Sequence, residues 1–319
     1  MRYALLLIAA TVALLTGCGG GSEEEGGGSG EKPAEITVQD TAGVPSAFLE
    51  YGVEEGFFES QNLNVKVEPS QGGATVVPAV VSGKVDIGGS NLVSVLLAGG
   101  KGVPVKIVAP GTYVQSDAKQ DFSAIIVAKD SDIRSPKDLE GKTLAINTLK
   151  NVAEVTAKAS LEKKGVDVSK IKLAEIDFPD MVPALEQGRV DAAFVIEPFV
   201  SLGVAAGDRI VDRPYVGTKP GLQIGCYFTS EKYLAENPEV VKSFKAGVAA
   251  TAHSIEENPD GFREFLPQAS MIKPEAAAKV ILPAWKADSD QASLDLIADL
   301  MAKYGITKEK PDTSGVIDE

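Results

Sequence analysis

"VPALEQGRVDAA", residues 182–193, has the pattern of a helix end, a turn at Gly188 and a strand that begins at Val190. A very similar segment, "VPAVVSGKVDIG", occurs earlier in the chain at residues 77–88. The two windows align without a gap at an offset of 105 residues and share Val, Pro, Ala, Gly, Val and Asp. One helix-turn-strand unit therefore occurs twice, which predicts two similar lobes.

The sequence around each copy alternates short strand-like runs with longer helical ones, which is typical of an α/β fold with mostly parallel strands. In the first series the predicted strands are 35–40, 63–68, 84–88 and 104–109, and the predicted helices are 45–58, 73–82 and 91–99. In the second series the predicted strands are 143–147, 171–176 and 190–196, and the helices are 152–164, 179–187 and 198–206. The repeat lies between the second helix and the third strand of both series.

Two further strand-like segments, 123–129 and 222–230, bracket the second series. We expect the chain to leave the first lobe, build the second and return, so these segments are predicted to form a two-crossing hinge. Helices predicted near 238–257, 259–266, 274–282 and 290–304 then pack back on the first lobe. The predicted boundaries are 35–126 with 226–319 for lobe I, and 127–225 for lobe II.

The first seventeen residues, "MRYALLLIAATVALLTG", contain an apolar run that is too short to span a bilayer comfortably and predict an export signal. Leu-Thr-Gly-Cys at 15–18 resembles the lipobox of bacterial lipoproteins, in which a diacylglyceryl group is attached to the cysteine, here Cys18. The alternative is an ordinary signal peptide with a chance cysteine. Residues 18–34 are rich in Gly, Ser and Glu and predict a flexible tether. The expected location is the extracytoplasmic face of the cell membrane.

Charge and composition exclude several classes of function. The formal net charge is −14, and removal of 1–17 takes away Arg2 and no acid, so the mature charge is −15. This argues against a nucleic-acid partner. With Cys18 acylated, Cys226 is the remaining thiol and cannot form an internal disulfide. One histidine and one thiol do not make a usual zinc site, and no nucleotide-binding fingerprint is present, so no metal or cofactor is expected.

The order of five segments carries a resemblance to a known family. They are "GVEEGFFESQNLNVKV", "SGKVDIGGSN", "GVPVKIVA", "IIVAKDSDIRSPKDLEGKTLAIN" and "LEQGRVDAAFVIEPF". This order resembles the solute-binding proteins of ABC importers, in the branch for nitrate, sulfonates, taurine and pyrimidine precursors of thiamine. The resemblance implies a monomeric, two-lobed clamshell of the type II periplasmic-binding-protein fold, which closes on a small solute and delivers it to a permease with its ATPase.

The resemblance places the solute between the lobes, where strands end and helices begin. The candidate ligand-binding residues are Thr41, Gly43, Gln71, Gly72, Ser90, Asn91, Tyr113, Asn147, Thr148, Glu197 and Tyr227. Asn147 and Thr148 correspond to a ligand-contacting turn of the family. Each polar candidate has a structural alternative: Ser90, Asn91 and Asn151 suit helix N-caps, and Glu197 suits the positive end of a helix dipole.

Helix N-termini that face one cleft favour an anionic or strongly polar solute, so a sulfonate, nitrate or taurine-type solute is expected. A pyrimidine precursor of thiamine or an aromatic compound is the alternative. An enzyme of the same fold, like a desulfinase or a pyrimidine synthase, is a second alternative, but it needs a Cys and a His within hydrogen-bond reach. This chain offers only Cys226 and His253, so we expect no catalysis. A tethered adhesion or scaffold protein is a third class.

Overall fold

A computed structural model describes residues 32–117, 119–270 and 272–318. The predicted signal peptide, Cys18 and the tether up to residue 31 lie outside the described residues. Ten strands are described: β1 (Ala34–Thr41), β2 (Leu63–Ser70), β3 (Ile87–Asn91), β4 (Val105–Pro110), β5 (Ser123–Val127), β6 (Thr143–Ile146), β7 (Lys172–Glu175), β8 (Ala192–Ile196), β9 (Arg209–Asp212) and β10 (Gly225–Ser230).

The strands form two five-stranded sheets with the same architecture. Their orders are β2-β1-β3-β10-β4 and β7-β6-β8-β5-β9. In each sheet the pairings make four strands parallel in direction, while the fourth strand in the order, β10 or β5, is antiparallel to both neighbours. The predicted α/β fold with two similar, mostly parallel sheets is confirmed, and each sheet is mixed because of this one strand.

The duplicated motif has the same structural role in both halves. The carboxylate of Asp86 accepts a hydrogen bond from the Thr37 backbone N–H at 2.8 Å, and that of Asp191 accepts one from Thr143 at 2.7 Å. In return, the Asp86 N–H donates to the Thr37 carbonyl and the Asp191 N–H to the Thr143 carbonyl, both at 3.0 Å. The repeated aspartate therefore fastens the residue before β3 to the middle of β1, and the residue before β8 to the start of β6.

Twelve helices are described in this part of the chain, and most of them follow a strand. They are α1 (Val44–Glu54), α2 (Gly73–Val81), α3 (Leu92–Gly99), α4 (Val152–Lys163), α5 (Phe178–Glu186), α6 (Phe199–Ala206), α7 (Pro214–Thr218), α8 (Glu231–Glu236), α9 (Pro238–Glu257), α10 (Pro259–Ala269), α11 (Pro274–Ala277) and α12 (Gln291–Lys303). Three short 3-10 helices begin at Glu59, Pro136 and Val168.

The tail helices cover the first sheet only in part. Helices α9 and α10 pack on α1, and α9 also contacts β2 and β4, as the sequence predicted. Phe244 of α9 and Phe262 of α10 build a core with α1 and Trp285, in which Phe48 of α1 stacks on Trp285 with ring centroids 4.9 Å apart. In contrast, α11 contacts α6, and α12 contacts both α3 and α4, so the tail also reaches elements of the second series.

The connections between the two sheets lie before the segments that were predicted to be the hinge. Strand β5 pairs with β8 and β9 inside the second sheet, and β10 pairs with β3 and β4 inside the first. The prediction that 123–129 and 222–230 are the crossings was therefore wrong, because each of these strands is fully used by one sheet. The chain crosses instead through residues 111–122 and 213–224. Tyr113 and Gln223 form an isolated antiparallel bridge between these two connections.

Candidate functional site

The carboxyl ends of strands from both sheets meet around one small cavity of about 40 Å³. Such a volume holds one or two water molecules. Polar residues line it from both halves: Asp40, Thr41, Ser90, Asn91, Thr112, Asn147, Asn151 and Tyr215. The apolar part of the lining comes from Pro45, Phe122, Val152, Phe178, Ile196 and Ile224, with Gly225 at one side. Aromatic and aliphatic walls with convergent polar groups also line small-molecule sites, but those sites have volumes of roughly 300–1,000 Å³, so a solute must part the two halves further than they are here.

Direct hydrogen bonds close the cleft over this cavity. The Val44 N–H, at the start of α1, donates to the Glu197 carbonyl at 3.0 Å. The Asn147 side-chain amide donates to the Gln71 carbonyl at 2.8 Å, and the Gln71 amide donates to the Asp177 carboxylate at 2.5 Å. Each bond joins an element of the first sheet to one of the second. The two halves therefore lie in the closed arrangement of a clamshell.

Two glycines allow this close approach. Gly43 has φ +117° and Gly72 has φ +133°, which are backbone conformations that other residues rarely adopt. A Cβ atom on Gly43 would lie 2.9 Å from the Glu197 carbonyl oxygen, and one on Gly72 would lie 3.1 Å from the Asn147 amide nitrogen. The two predicted site glycines thus act through the contact between the halves, and neither lines the cavity.

Ser90 and Asn91 are the last residues of β3, and both line the cavity as predicted from the sequence. The Asn91 side chain accepts a hydrogen bond from the Ser94 N–H at 3.0 Å, so it also caps α3, which was the structural alternative. Ser90 is only 6% exposed, and among the described residues its hydroxyl has no hydrogen-bond partner. A buried hydroxyl without a partner is costly, and this one borders the cavity.

On the opposite wall, asparagines form a fixed polar group. Asn151 accepts from the Ala153 N–H at 3.0 Å as the N-cap of α4. Its amide donates to the Asn147 side-chain oxygen Oδ1 and to the Thr148 hydroxyl, both at 2.7 Å. Asn147 and Asn151 line the cavity, whereas Thr148 is buried behind them. The prediction of Thr148 as a ligand contact is not supported, because its hydroxyl faces Asn151.

The sequence reasoning missed Asp40, which lies in the cavity wall next to Thr41. Its carboxylate accepts a hydrogen bond from the Thr41 N–H at 2.7 Å, and the Tyr227 hydroxyl donates to it. Burial raises the pKa of Asp40 to about 7, against these two hydrogen bonds, which lower it. One signal was present: Ile36, Val38 and Asp40 alternate on the buried face of β1.

Two predicted aromatic contacts lie away from the cavity. The Tyr113 hydroxyl donates to the Gln223 side-chain oxygen at 3.0 Å and to the Asp288 carbonyl at 2.5 Å, so its hydrogen bonding is used by the connections and the tail. Tyr227 packs between Phe48 and Phe244 and reaches the site only through Asp40. Both were predicted to form the pocket wall, which Phe122, Phe178 and Tyr215 form instead.

Glu197 also has a structural role in place of the predicted ligand contact. Its carboxylate accepts hydrogen bonds from the Ser201 N–H at 2.9 Å, the Ser201 hydroxyl at 3.0 Å and the Ile281 N–H at 3.2 Å. These bonds fasten α6 to the tail segment that follows α11. Burial raises the pKa of Glu197. Only its backbone carbonyl takes part in the cleft, through the bond from Val44.

The sequence model of the family described as "NMT1/THI5 like" matches residues 46–262, which is more than half of the chain. The chain belongs to the NMT1/THI5-like family. The matched range contains both sheets except β1, and it includes Ser90, Asn147 and Asn151 of the cavity wall.

Two relatives of this NMT1/THI5-like chain are binding proteins by name. The taurine-binding periplasmic protein of Escherichia coli is 24% identical over 204 residues, which cover 64% of this chain and 61% of that protein. The formylaminopyrimidine-binding protein of Halalkalibacterium halodurans is 24% identical over 216 residues, covering 67% and 63%. The match thus spans about three fifths of the length of both relatives.

The fold of the NMT1/THI5-like chain is that of periplasmic binding proteins. The alkanesulfonate-binding protein SsuA from Xanthomonas axonopodis pv. citri superposes with a TM-score of 0.73 at 19% identity, covering 89% of this chain and 96% of that chain. No helix in the described ranges is long and apolar enough to cross a membrane.

Other relatives are fungal proteins named 4-amino-5-hydroxymethyl-2-methylpyrimidine phosphate synthase, for example from Schizosaccharomyces pombe at 21% identity. In this NMT1/THI5-like chain the Cys226 thiol is buried in β10, and burial raises its pKa, which disfavours the reactive thiolate. The His253 side chain is 70% exposed on α9 and lies 3.5 Å from Glu257. These surroundings do not provide the activated Cys–His pair that the enzyme alternative requires.

Proposed function

We propose that this protein is an extracytoplasmic solute-binding protein that captures a small polar organic solute between its two halves and delivers it to an ABC importer. The observation that carries the proposal is the closed cleft, in which polar strand ends of both sheets surround one cavity. The relatives that bind taurine and a formylaminopyrimidine support the same class of function.

Capture follows from the geometry of the closed cleft. With the halves apart, Ser90 and Asp40 on one side and Asn147 and Asn151 on the other are open to solvent. A solute that contacts both sides binds the closed form better than the open one, and so it shifts the population toward closure. The hydrogen bonds from Val44 and Asn147 across the cleft then form only in the closed form, which is the form we propose a permease recognises.

Asn147→Ala is the direct test of the cleft as the solute site. In a thermal-shift screen of the purified soluble part against sulfonates, taurine, nitrate, carboxylates and pyrimidines, we expect one class to raise the melting temperature. A ligand at a hundred times its Kd stabilises the folded state by about 2.7 kcal/mol. Asn147→Ala removes both a cavity-wall amide and a bond across the cleft, so we expect at least a tenfold weaker Kd.

Asn64→Ala is the matched control, because Asn64 is exposed on β2. It should leave the Kd unchanged. Equal affinity of the Asn147→Ala protein and the wild type, for a solute shown to bind, would place the solute elsewhere.

We further propose that Cys18 anchors the protein in the membrane by two acyl chains, since two chains suffice for stable anchoring where one is marginal. Cys18→Ala should move the protein out of the membrane fraction or leave an uncleaved precursor. Fractionation and mass spectrometry of the N-terminal peptide measure both outcomes, with Cys226→Ala as the control. A Cys18→Ala protein that is processed and retained like the wild type would contradict the lipid anchor.

A further inference from the structure

The cavity wall contains a buried carboxyl group, and none of the residues described in that wall supplies a cation to neutralise it. Asp40 is 4% exposed, and the residues that line the cavity include no lysine and no arginine. Burying a carboxylate without a cation is expensive, so a site of this kind favours an incoming positive charge or a retained proton.

We infer, on the basis of the proposed function, that the solute carries a positively charged N–H group of the alkylammonium type, and that Asp40 and Ser90 bind it. Asp40 and Ser90 are the second-to-last residues of β1 and β3, and these strands are neighbours in the first sheet. The two side chains supply a carboxylate oxygen and a hydroxyl oxygen without a described partner, and both accept hydrogen bonds from N–H donors.

The position of Asp40 is fixed by its neighbours on three sides. A Cβ atom on Gly89 of β3 would lie 2.1 Å from the carboxyl carbon, so the carboxyl group packs against the bare backbone of that glycine. The Thr41 N–H binds one carboxylate oxygen at 2.7 Å, and the Tyr227 hydroxyl approaches from β10. The rigid carboxyl group is therefore prepared to bind a donor that enters from the cavity.

The charged groups around Asp40 explain why the cation must come from the solute. The titratable groups that face it are Tyr227 and Cys226 on β10, and both stay neutral because burial raises their pKa. Arg213, a cation of the second half, does not line the cavity, and it donates to the backbone carbonyls of Asp121 and Ser123. The other residues that line the cavity carry no charged side chain, and Tyr215, the titratable residue among them, stays neutral because burial raises its pKa.

Capture of a cationic group is then coupled to the proton of Asp40. Because the pKa of Asp40 is about 7, the carboxyl group is largely protonated at pH 6 and largely ionised at pH 8. The cation binds the ionised form, so it must displace the proton below pH 7. The Kd is expected to rise up to about tenfold for each pH unit below 7 and to level off above it.

Calorimetry with two matched pairs of solutes tests the inference on the wild-type mature protein. The first pair is 2-aminoethanesulfonate and ethanesulfonate, and the second is 4-aminobutanoate and butanoate, because both amines are cationic at pH 6 and at pH 8. We expect one aminated member to bind at least tenfold more tightly than its partner at pH 8, and to bind about tenfold more weakly at pH 6. Asp40→Asn should weaken it at least tenfold at pH 8 and remove the pH dependence, and Ser90→Ala should weaken it less.

Asp130→Asn is the control, since Asp130 is exposed in a turn, and circular dichroism checks that each variant is folded. If Asp40→Asn does not fold, the inference is tested by the affinity of the Ser90→Ala variant and by the pH dependence of binding to the wild type. Equal binding within a pair, or binding that neither pH nor these variants change, would overturn the inference and leave the proposed function standing. Binding of none of the four solutes, together with an empty thermal-shift screen, would overturn both.

Discussion

Asp40→Asn is expected to raise the free energy of unfolding of the unliganded protein at pH 8 by up to about 4 kcal/mol. The cause is the burial that raises the pKa of Asp40 from 3.8 to about 7. A shift of one pKa unit corresponds to about 1.4 kcal/mol, and the folded state of the wild type bears this cost once the carboxyl group ionises. Asparagine has nearly the same shape and never ionises, so it avoids the cost.

The sign of the pH dependence follows from the raised pKa. The folded state holds the Asp40 proton more tightly than the unfolded state, so this contribution to stability is fully present below pH 3.8 and is lost as the pH rises to about 7. Urea unfolding at pH 4, 6 and 8 measures the free energy of unfolding of the wild type and of Asp40→Asn. The two values should nearly coincide at pH 4 and should differ increasingly toward pH 8. Asp130→Asn should run parallel to the wild type. If the free energies of unfolding of the wild type and of Asp40→Asn differed by the same amount at every pH, the pKa of Asp40 would not be raised in the folded state.

This expected gain in stability has a functional meaning. A group that destabilises the folded protein at neutral pH and lies in a cavity wall is the pattern of a functional residue, whose cost is offset when the ligand binds. The same substitution should therefore stabilise the protein and weaken solute binding. If Asp40→Asn gained stability and kept the affinity of the wild type for the solute, Asp40 would have no role in solute binding.

Gly43→Ala is expected to weaken solute binding more than tenfold by preventing closure. Gly43 has φ +117°, and a Cβ atom there would lie 2.9 Å from the Glu197 carbonyl oxygen, which the neighbouring Val44 N–H binds across the cleft. The methyl group must push the two halves apart or break this bond. Since the solute is proposed to bind the closed form, the loss of closure lowers its affinity.

Gly56→Ala is the control that distinguishes the loss of cleft closure from the loss of stability caused by backbone strain. Gly56 has φ +74°, and a Cβ atom there would meet nothing within 4 Å. Gly56→Ala should lose about 1–2 kcal/mol of stability through its left-handed backbone, and Gly43→Ala should lose about 1–3 kcal/mol through a conformation that is nearly restricted to glycine. Only Gly43→Ala should lose affinity. Small-angle scattering should show a smaller radius of gyration on addition of solute for the wild type and for Gly56→Ala, and no change for Gly43→Ala. A Gly43→Ala protein that contracts normally would contradict the closure mechanism.

The sequence by itself determined the architecture, because the signals for it are local. Strand and helix periodicity gave nearly all elements of both series, and the duplicated motif gave the two halves. The repeated aspartates show why the duplicated motif predicted two similar halves. Asp86 and Asp191 make the same hydrogen bonds to Thr37 and Thr143, so the residues that the two copies share have the same structural role in each half. Short elements such as β9 and α7 were missed because four or five residues carry little periodicity.

The cleft was predictable only in outline. Strand ends pointed to Thr41, Ser90, Asn91 and Asn147, and these residues do line the cavity. Tertiary structure decided which other residues line the cavity beside them. Asp40 enters the wall because its strand places it opposite Gly89, whereas Glu197 turns toward Ser201 and Ile281, a residue 84 positions away. Tyr113 likewise turns to Gln223 and the tail.

The hinge was decided by strand pairing, which sequence patterns do not specify. Segments 123–127 and 225–230 have the composition of buried strands, and the sequence correctly placed strands there. Whether such a strand joins one sheet or spans two depends on which edges are free when the sheets assemble. Here β5 lies between β8 and β9, and β10 lies between β3 and β4, so both edges of each strand are paired within one sheet. The crossings are therefore left to residues 111–122 and 213–224, whose local sequence carries no signal for that role.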